Sequence, residues 1–171
     1  ESNSEEAWTG KGNALNGLRK HDEAIVCLDR AIKTKPEYEN ASANKGVALS
    51  HLEKYEEAIA CLDRAIEIKS NDPHAWSTKG TALNGLRKYD EALACFDKAI
   101  EIRPNSEDAW FGKGTTLYSL RKYEEAIACF DKTIKIEPDY PEVLDKKGAA
   151  LVHLGRREEA IACVDRAIEI K

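Results

Sequence analysis

The five cysteines of this chain recur at one constant interval of 34 residues. Each follows an alanine by three positions and directly precedes a large apolar residue, as in the segment from Ala24 to Leu28. A constant period of this length indicates stacked repeats, in which every unit buries its apolar face against its neighbours. The chain is therefore predicted to contain five copies of one unit, marked by Cys27, Cys61, Cys95, Cys129 and Cys163.

Each unit carries two amphipathic stretches with helical spacing. In the first unit, the stretches from Ala7 to Leu18 and from Ala24 to Ile32 place apolar or small residues on one helix face. No segment alternates with the period of two that a β-strand shows. We predict an all-α fold of ten helices in a single array over residues 1–171, with a short leader at residues 1–4. The five helix-turn-helix units occupy residues 5–38, 39–72, 73–106, 107–140 and 141–171.

Residues that favour helix ends stand at the expected boundaries. Ser4 and Ser106 can accept hydrogen bonds from the first turns that follow them. Asp72 can do the same, and it precedes a proline that suits the first turn of a helix. We expect the turns between paired helices near the glycines Gly17, Gly85 and Gly155.

The cysteines are poorly suited to disulfides or metal sites. Their number is odd, and equivalent positions in neighbouring repeats lie at least one helix-packing distance apart, about 8–10 Å. A disulfide requires Cα atoms within roughly 4.4–6.8 Å, and no C-x-x-C pair or nearby histidine pair supplies a zinc site. We interpret the cysteines as small buried apolar residues. Five free thiols favour a reducing compartment, most simply the cytoplasm.

Charge and hydropathy argue against two classes of partner. The 171 residues carry a formal net charge of −5, which leaves no basic excess to neutralise the phosphates of nucleic acid or of an anionic membrane. No apolar run approaches the roughly 18 residues of a membrane span. No recurring Ser/His/Asp or Cys/His set points to catalysis, a metal or a cofactor. A chain that begins at Glu1, without an initiator methionine, is expected to be part of a longer protein.

The first unit places Trp8, Gly12 and Leu15 in its first helix and Ala24, Leu28, Ala31 and Pro36 further on. This pattern resembles the tetratricopeptide repeat, whose 34-residue signature is W-x2-L-G-x2-Y, then A-x3-F, A and P. The resemblance implies a right-handed α-solenoid, here without a separate C-terminal capping helix. It also implies a protein-interaction scaffold rather than an enzyme, with a concave groove for an extended peptide or a partner helix. One glycine in each unit would let paired helices approach closely: Gly12, Gly46, Gly80, Gly114 and Gly148.

The chain departs from the signature at several positions. A lysine replaces the leucine before the glycine in every unit: Lys11, Lys45, Lys79, Lys113 and Lys147. Either the lysine stem packs while its amine reaches solvent, or the lysines form a cationic ladder for an acidic ligand. Ser42 and Leu144 replace the tryptophan, Arg157 replaces the turn tyrosine and Ser70 replaces a proline. These changes predict that the second and fifth units are the weaker ones.

Candidate groove residues follow from the resemblance, because they are the first-helix positions left after the packing positions are removed. In related proteins that clamp a terminal carboxylate, Asn13 and Asn44 would match two asparagines. Thr9, His74 and Thr78 stand where the cations belong, so such a clamp is not expected here. We expect a polar extended segment held by hydrogen bonds, with Phe111 and Tyr118 as candidate anchors. The full candidate set is Thr9, Asn13, Asn44, His51, Thr78, Thr81, Phe111 and Tyr118.

A structural role is the alternative to groove binding. The second helix of the last unit presents an apolar face that no later helix of this sequence would cover. An exposed apolar face favours association, so the chain could stack with other copies through its ends. The candidate residues of this self-association face are Ala160, Cys163, Val164, Ala167 and Ile168.

Overall fold

A computed structural model describes residues 4–170 of the chain, and within this range the structure consists of ten α-helices joined by turns, with no β-strand. The predicted all-α class with helix-turn-helix units is confirmed. The predicted leader and last repeat extend to residues 1–3 and to Lys171, which lie outside the described residues. The helices are α1 (Glu5–Gly17), α2 (His21–Thr34), α3 (Glu39–His51), α4 (Tyr55–Ile68), α5 (Pro73–Gly85), α6 (Tyr89–Ile102), α7 (Glu107–Ser119), α8 (Tyr123–Ile136), α9 (Pro141–His153) and α10 (Arg157–Ile170).

Contacts between helices divide the chain into two structural units, Glu1–Lys88 and Tyr89–Lys171. In the first unit each helix from α1 to α5 packs against the next, and α3 also contacts α1 and α5. In the second unit each helix from α6 to α10 packs against the next, and α7 also contacts α9. The first helices of neighbouring repeats therefore share one side of each unit. A single array over the whole chain remains a prediction.

The helix ends show which of the expected capping residues act. The hydroxyl of Ser4 accepts a hydrogen bond from the Ala7 amide at 3.2 Å, and the Asp72 carboxylate accepts one from the His74 amide at 3.0 Å. Ser106 occupies the cap position of α7 without a side-chain cap hydrogen bond.

The turns between paired helices use a left-handed residue just after the helix. In the fifth repeat this residue is Gly155, at φ 75°, as expected. Gly17 and Gly85 instead end their helices. The left-handed position in the other four repeats is occupied by Arg19, Glu53, Arg87 and Arg121, at φ between 58° and 61°. These four residues adopt a left-handed backbone conformation that costs less free energy for glycine than for a residue with a Cβ atom.

Close helix pairing through glycine is confirmed in three repeats. A Cβ atom at Gly12 would lie 2.7 Å from Leu28 Cγ, and one at Gly46 would lie 2.5 Å from Leu62 Cγ. At Gly114 the nearest atom would be Phe130 Cε1, at 2.7 Å. The apolar partners Leu28, Leu62 and Phe130 are fully buried, and in these three repeats they pack directly against the backbone of the first helix at its glycine.

Junctions between repeats are closed by a side-chain N–H that donates to a backbone carbonyl of the preceding repeat. Trp76 Nε1 donates to the carbonyl of Ser70 at 2.8 Å, and Trp110 Nε1 donates to that of Pro104 at 2.8 Å. The second and fifth repeats lack this tryptophan. There, an arginine from the second helix reaches the equivalent carbonyl: Arg64 bonds Pro36 at 2.9 Å and Arg166 bonds Pro138 at 3.1 Å. The arginines thus supply the hydrogen bond that tryptophan makes at the other two junctions, and the lower stability expected of the second and fifth repeats stays a prediction.

All five cysteines are reduced and pack within the repeats. Cys27, Cys95 and Cys129 are buried, while Cys61 and Cys163 are half-buried. Burial raises the pKa of the Cys129 thiol to about 11 and also raises the pKa values of Cys61 and Cys163. Thiols with raised pKa values stay protonated near neutral pH, which suits a packing role.

Candidate functional site

The first helices of the first structural unit line a polar cavity of about 500 Å³. Its walls come from α1, from α3, and from the start of α5. Three of the predicted groove residues, Thr9, Asn13 and Asn44, meet in this cavity. Most of the remaining lining is also polar: Glu6, Gly10, Tyr38, Asn40, Ala43, Asp72 and His74.

The three predicted residues in the cavity differ in what they can offer a ligand. Thr9 is only 4% exposed, and its hydroxyl donates to the Glu5 carbonyl at 2.7 Å, so it shapes the wall. Asn13 is exposed and Asn44 is half-buried. The Asn44 backbone is held in place because its carbonyl accepts a hydrogen bond from Asn16 Nδ2 at 3.1 Å. The side-chain amides of Asn13 and Asn44 therefore remain as the ligand-facing groups.

Thr78 and Thr81 lie further along α5 than the residues that line this cavity. The Thr78 hydroxyl donates to the His74 carbonyl at 2.9 Å, and the Thr81 hydroxyl donates to that of Ser77 at 3.1 Å. Both hydroxyl hydrogens are therefore used within the helix, and only acceptor capacity is left for a ligand.

His51 belongs to a stacked pair between repeats. Its ring lies on that of His21, with centroids 4.7 Å apart and an interplanar angle of 13°. His21 Nδ1 lies 3.3 Å from Asn16 Oδ1, and the same Asn16 side chain bonds the Asn44 carbonyl. Partial burial lowers the pKa of His51, and the nearby His21 and Arg19 lower it further.

The stacked pair predicts a loss of stability in mild acid. Because the pKa of His51 is lower in the folded protein, the unfolded chain binds its proton more readily, and stability falls as pH drops through about 6.5. We expect the midpoint of thermal unfolding to fall less between pH 7.5 and 5.5 in a His51→Gln variant than in the parent. An equal fall in both proteins would contradict this role, and His74→Gln serves as the matched exposed control.

The two predicted aromatic anchors lie in the second structural unit and are half-buried there. The Phe111 ring centroid lies 5.2 Å from that of Tyr140 and 6.2 Å from that of Phe130. Tyr118 makes an edge contact with Tyr123 at 5.5 Å, and its hydroxyl lies 3.1 Å from His153 Nε2. Phe111 thus packs within the fourth repeat, while Tyr118 also reaches His153 of the fifth repeat, and the role of both rings as ligand anchors stays a prediction.

The periodic lysines form ion pairs with aspartates on the second helix of the preceding repeat. The four pairs, each between Lys Nζ and Asp Oδ1, are Lys45–Asp29 at 2.6 Å, Lys79–Asp63 at 2.5 Å, Lys113–Asp97 at 2.6 Å and Lys147–Asp131 at 2.6 Å. Burial alone would lower the pKa of Lys45, but the hydrogen bond and charge of Asp29 outweigh it and raise that pKa. These four amines are therefore neither free in solvent nor a ladder for an acidic ligand.

A sequence signal for these pairs was present but missed. The aspartates recur with the same period as the lysines and stand 16 residues before them. A separation of 16 residues cannot be a contact within one helix, since helical neighbours are three or four residues apart. Two residue types of opposite charge sharing one long period indicate a contact between repeats.

The predicted self-association face is only partly exposed. Ala160 and Ala167 are buried, which corrects their assignment to the outer face, and Cys163 is half-buried. Val164 is 41% exposed and Ile168 is 66% exposed. The structure adds Ile161, which is 61% exposed and was not predicted. A cavity of about 620 Å³ on this face is lined mainly by Val152, Arg157, Ile161, Val164 and Asp165.

Residues 4–170 provide neither a metal-binding cluster nor a membrane-spanning helix. No group of three or more His, Cys, Asp or Glu side chains in this range is arranged to hold a metal ion. None of the ten helices combines the length and the apolar character that are needed to cross a membrane.

Comparison with known proteins gives one consistent result. Three family models, each described as tetratricopeptide repeat, match this chain. The first matches residues 5–38 and 107–140, the second residues 49–111 and the third residues 141–171. No curated protein matches the sequence.

Solved structures resemble the chain at low sequence identity, which supports the fold alone. MamA from Desulfovibrio magneticus RS-1 is 17% identical with a TM-score of 0.81, covering 99% of this chain and 96% of its own. A thermophilic repeat protein of Thermus thermophilus is 19% identical with a TM-score of 0.86, and the match covers 97% of this chain and 91% of that protein. YrrB, described as having an unusual peptide-binding site, is 22% identical with a TM-score of 0.71. The match covers 96% of this chain and 84% of YrrB.

Proposed function

Because the chain belongs to the tetratricopeptide repeat family, we propose that it is a protein-interaction scaffold that binds an extended peptide in the polar cavity of α1, α3 and α5. The observation that carries this proposal is the meeting of Asn13, Asn40 and Asn44 on the walls of one open cavity. Each asparagine amide offers donors and an acceptor, so a ladder of such groups suits a peptide backbone, which needs both.

The charged groups of the cavity favour a cationic segment over an anionic one. Glu6 and Asp72 line the cavity, and the only basic side chain among the lining residues is His74. One Asp72 oxygen already accepts the His74 amide, while its negative charge still faces the cavity. A lysine or arginine of the ligand would find a charge partner there, whereas a terminal carboxylate would meet like charges.

Binding without chemistry is the mode of action that we propose. The carboxylates of the cavity stand on open helix ends, and no nucleophile with a neighbouring base lines its walls. YrrB, a protein of the same fold, is described as having a peptide-binding site, which makes peptide binding a reasonable use of these helices. A reducing compartment, most simply the cytoplasm, would suit five cysteines in the reduced state.

A peptide-library selection on the parent chain tests this function. We expect enrichment of extended peptides that contain lysine or arginine, and a loss of affinity of about tenfold in an Asn13→Ala, Asn44→Ala double variant. Two lost hydrogen bonds at about 0.5–1.5 kcal/mol each account for this change. Asn105→Ala, an exposed asparagine of the second structural unit, should bind as the parent does. No enriched peptide, or equal binding by the double variant, would contradict the proposal.

A further inference from the structure

The first and last repeats each carry one half of an ion pair that the other repeats complete. Within residues 4–170, Lys11 has no aspartate on a preceding second helix, and Asp165 has no lysine on a following first helix. Asp165 occupies the same repeat position as Asp29, Asp63, Asp97 and Asp131, and Lys11 that of the four paired lysines. The two unmatched members have opposite charge.

Lys11 already holds the position that its paired equivalents hold. Its Nζ lies 5.7 Å from the centroid of the Trp8 ring. Lys79 lies 5.7 Å from Trp76 and Lys113 lies 5.9 Å from Trp110, and both of these amines also reach an aspartate of the preceding repeat. The tryptophan ring thus orients the amine of Lys11 toward the place where an aspartate would stand.

The apolar surfaces at the two ends match in the same register. At an interior junction, Ile127 packs in one buried cluster with Leu151 of the next repeat, and these are 7% and 0% exposed. The same repeat positions at the two ends are Ile161, which is exposed, and Leu15, which is half-buried. Ile161 lines the cavity of about 620 Å³ beside Asp165, and Leu15 lines one of about 260 Å³ beside Lys11.

We propose that the chain associates with itself head to tail, with Asp165 of one copy pairing with Lys11 of the next. In this contact Ile161 and Val164 of one copy pack against the end face around Leu15 and Trp8 of the other. The contact repeats the junction between interior repeats, so its ion pair and its apolar packing form together. It joins two different faces, so each copy can contact two others.

Charge reversal tests this register directly by sedimentation equilibrium over a concentration series. The parent should show a weight-average mass that rises above the monomer mass as concentration increases. Asp165→Lys alone and Lys11→Asp alone should each weaken self-association by at least about tenfold, because each places like charges opposite one another. An equimolar mixture of the two single variants should recover the association, since each then offers the charge that the other needs.

Matched variants separate this contact from general effects of charge. Glu169→Lys and Lys33→Asp make the same charge changes on exposed positions of α10 and α2 outside the two cavities, and both should assemble as the parent does. Ile161→Glu should weaken assembly as strongly as Asp165→Lys. A parent that stays monomeric at all concentrations would overturn the proposal. So would a mixture that fails to recover, which would indicate a symmetric contact between like ends.

Discussion

Replacing Phe130 with alanine is expected to lower the free energy of unfolding by about 3–5 kcal/mol. Phe130 is fully buried, and its ring closes on the backbone at Gly114, so the cavity left by its removal cannot be filled by a small shift. The same ring contacts Phe111 of α7, so the loss also removes packing between the two helices of the fourth repeat. Denaturant unfolding followed by circular dichroism, with tryptophan fluorescence as a second probe, would measure the change.

Val164 provides the matched control because it occupies the same repeat position in the last repeat. It is 41% exposed, so Val164→Ala should lower the free energy of unfolding by only about 1 kcal/mol or less. If the two substitutions cost the same, burial at this position would not be what stabilises the repeat. Agreement between the two probes would show that one transition is being measured.

A second large effect is expected from adding a single methyl group at Gly46. The new Cβ would lie 2.5 Å from Leu62 Cγ, a branched atom held in a fully buried side chain. We expect Gly46→Ala to destabilise the protein by about 1–3 kcal/mol, because α3 and α4 must separate to relieve the contact.

The same change at the equivalent position of the last repeat should have the opposite sign. A Cβ at Gly148 would meet Val164 Cγ2 at 3.4 Å, an ordinary contact. Gly148→Ala should therefore be neutral or stabilise the protein by up to about 1 kcal/mol, since alanine favours helix more than glycine does. Thermal unfolding of both variants gives the comparison, and destabilisation by both would indicate that helix approach is equally tight in the two repeats.

The helices and most of the caps could be predicted from the sequence because they depend on local periodicity and on residues near one another in the chain. Ser4 and Asp72 cap the helices as expected. The turn conformation was harder to predict, because glycine is the residue that usually adopts positive φ. Gly17 and Gly85 stand two residues before the left-handed position, which Arg19 and Arg87 occupy.

The candidate site was less predictable because its properties depend on contacts between repeats. Nothing local distinguishes Asn13, which lines an open cavity, from Thr9, whose hydroxyl is already bonded. The burial of Ala160 and Ala167 likewise depends on how α10 lies against α9. The lysine–aspartate pairs could have been found, since both partners repeat with the same period.

The exchange between tryptophan and arginine at the junctions bears on how such a gene can change over time. Equivalent carbonyls at two different junctions accept a hydrogen bond, one from Trp76 of a first helix and one from Arg64 of a second helix. Tryptophan and arginine are therefore alternative donors for equivalent carbonyls in different repeats. Duplication and drift of single repeats can then continue without loss of the stack, and new ligand-facing residues can arise in repeats that still join their neighbours.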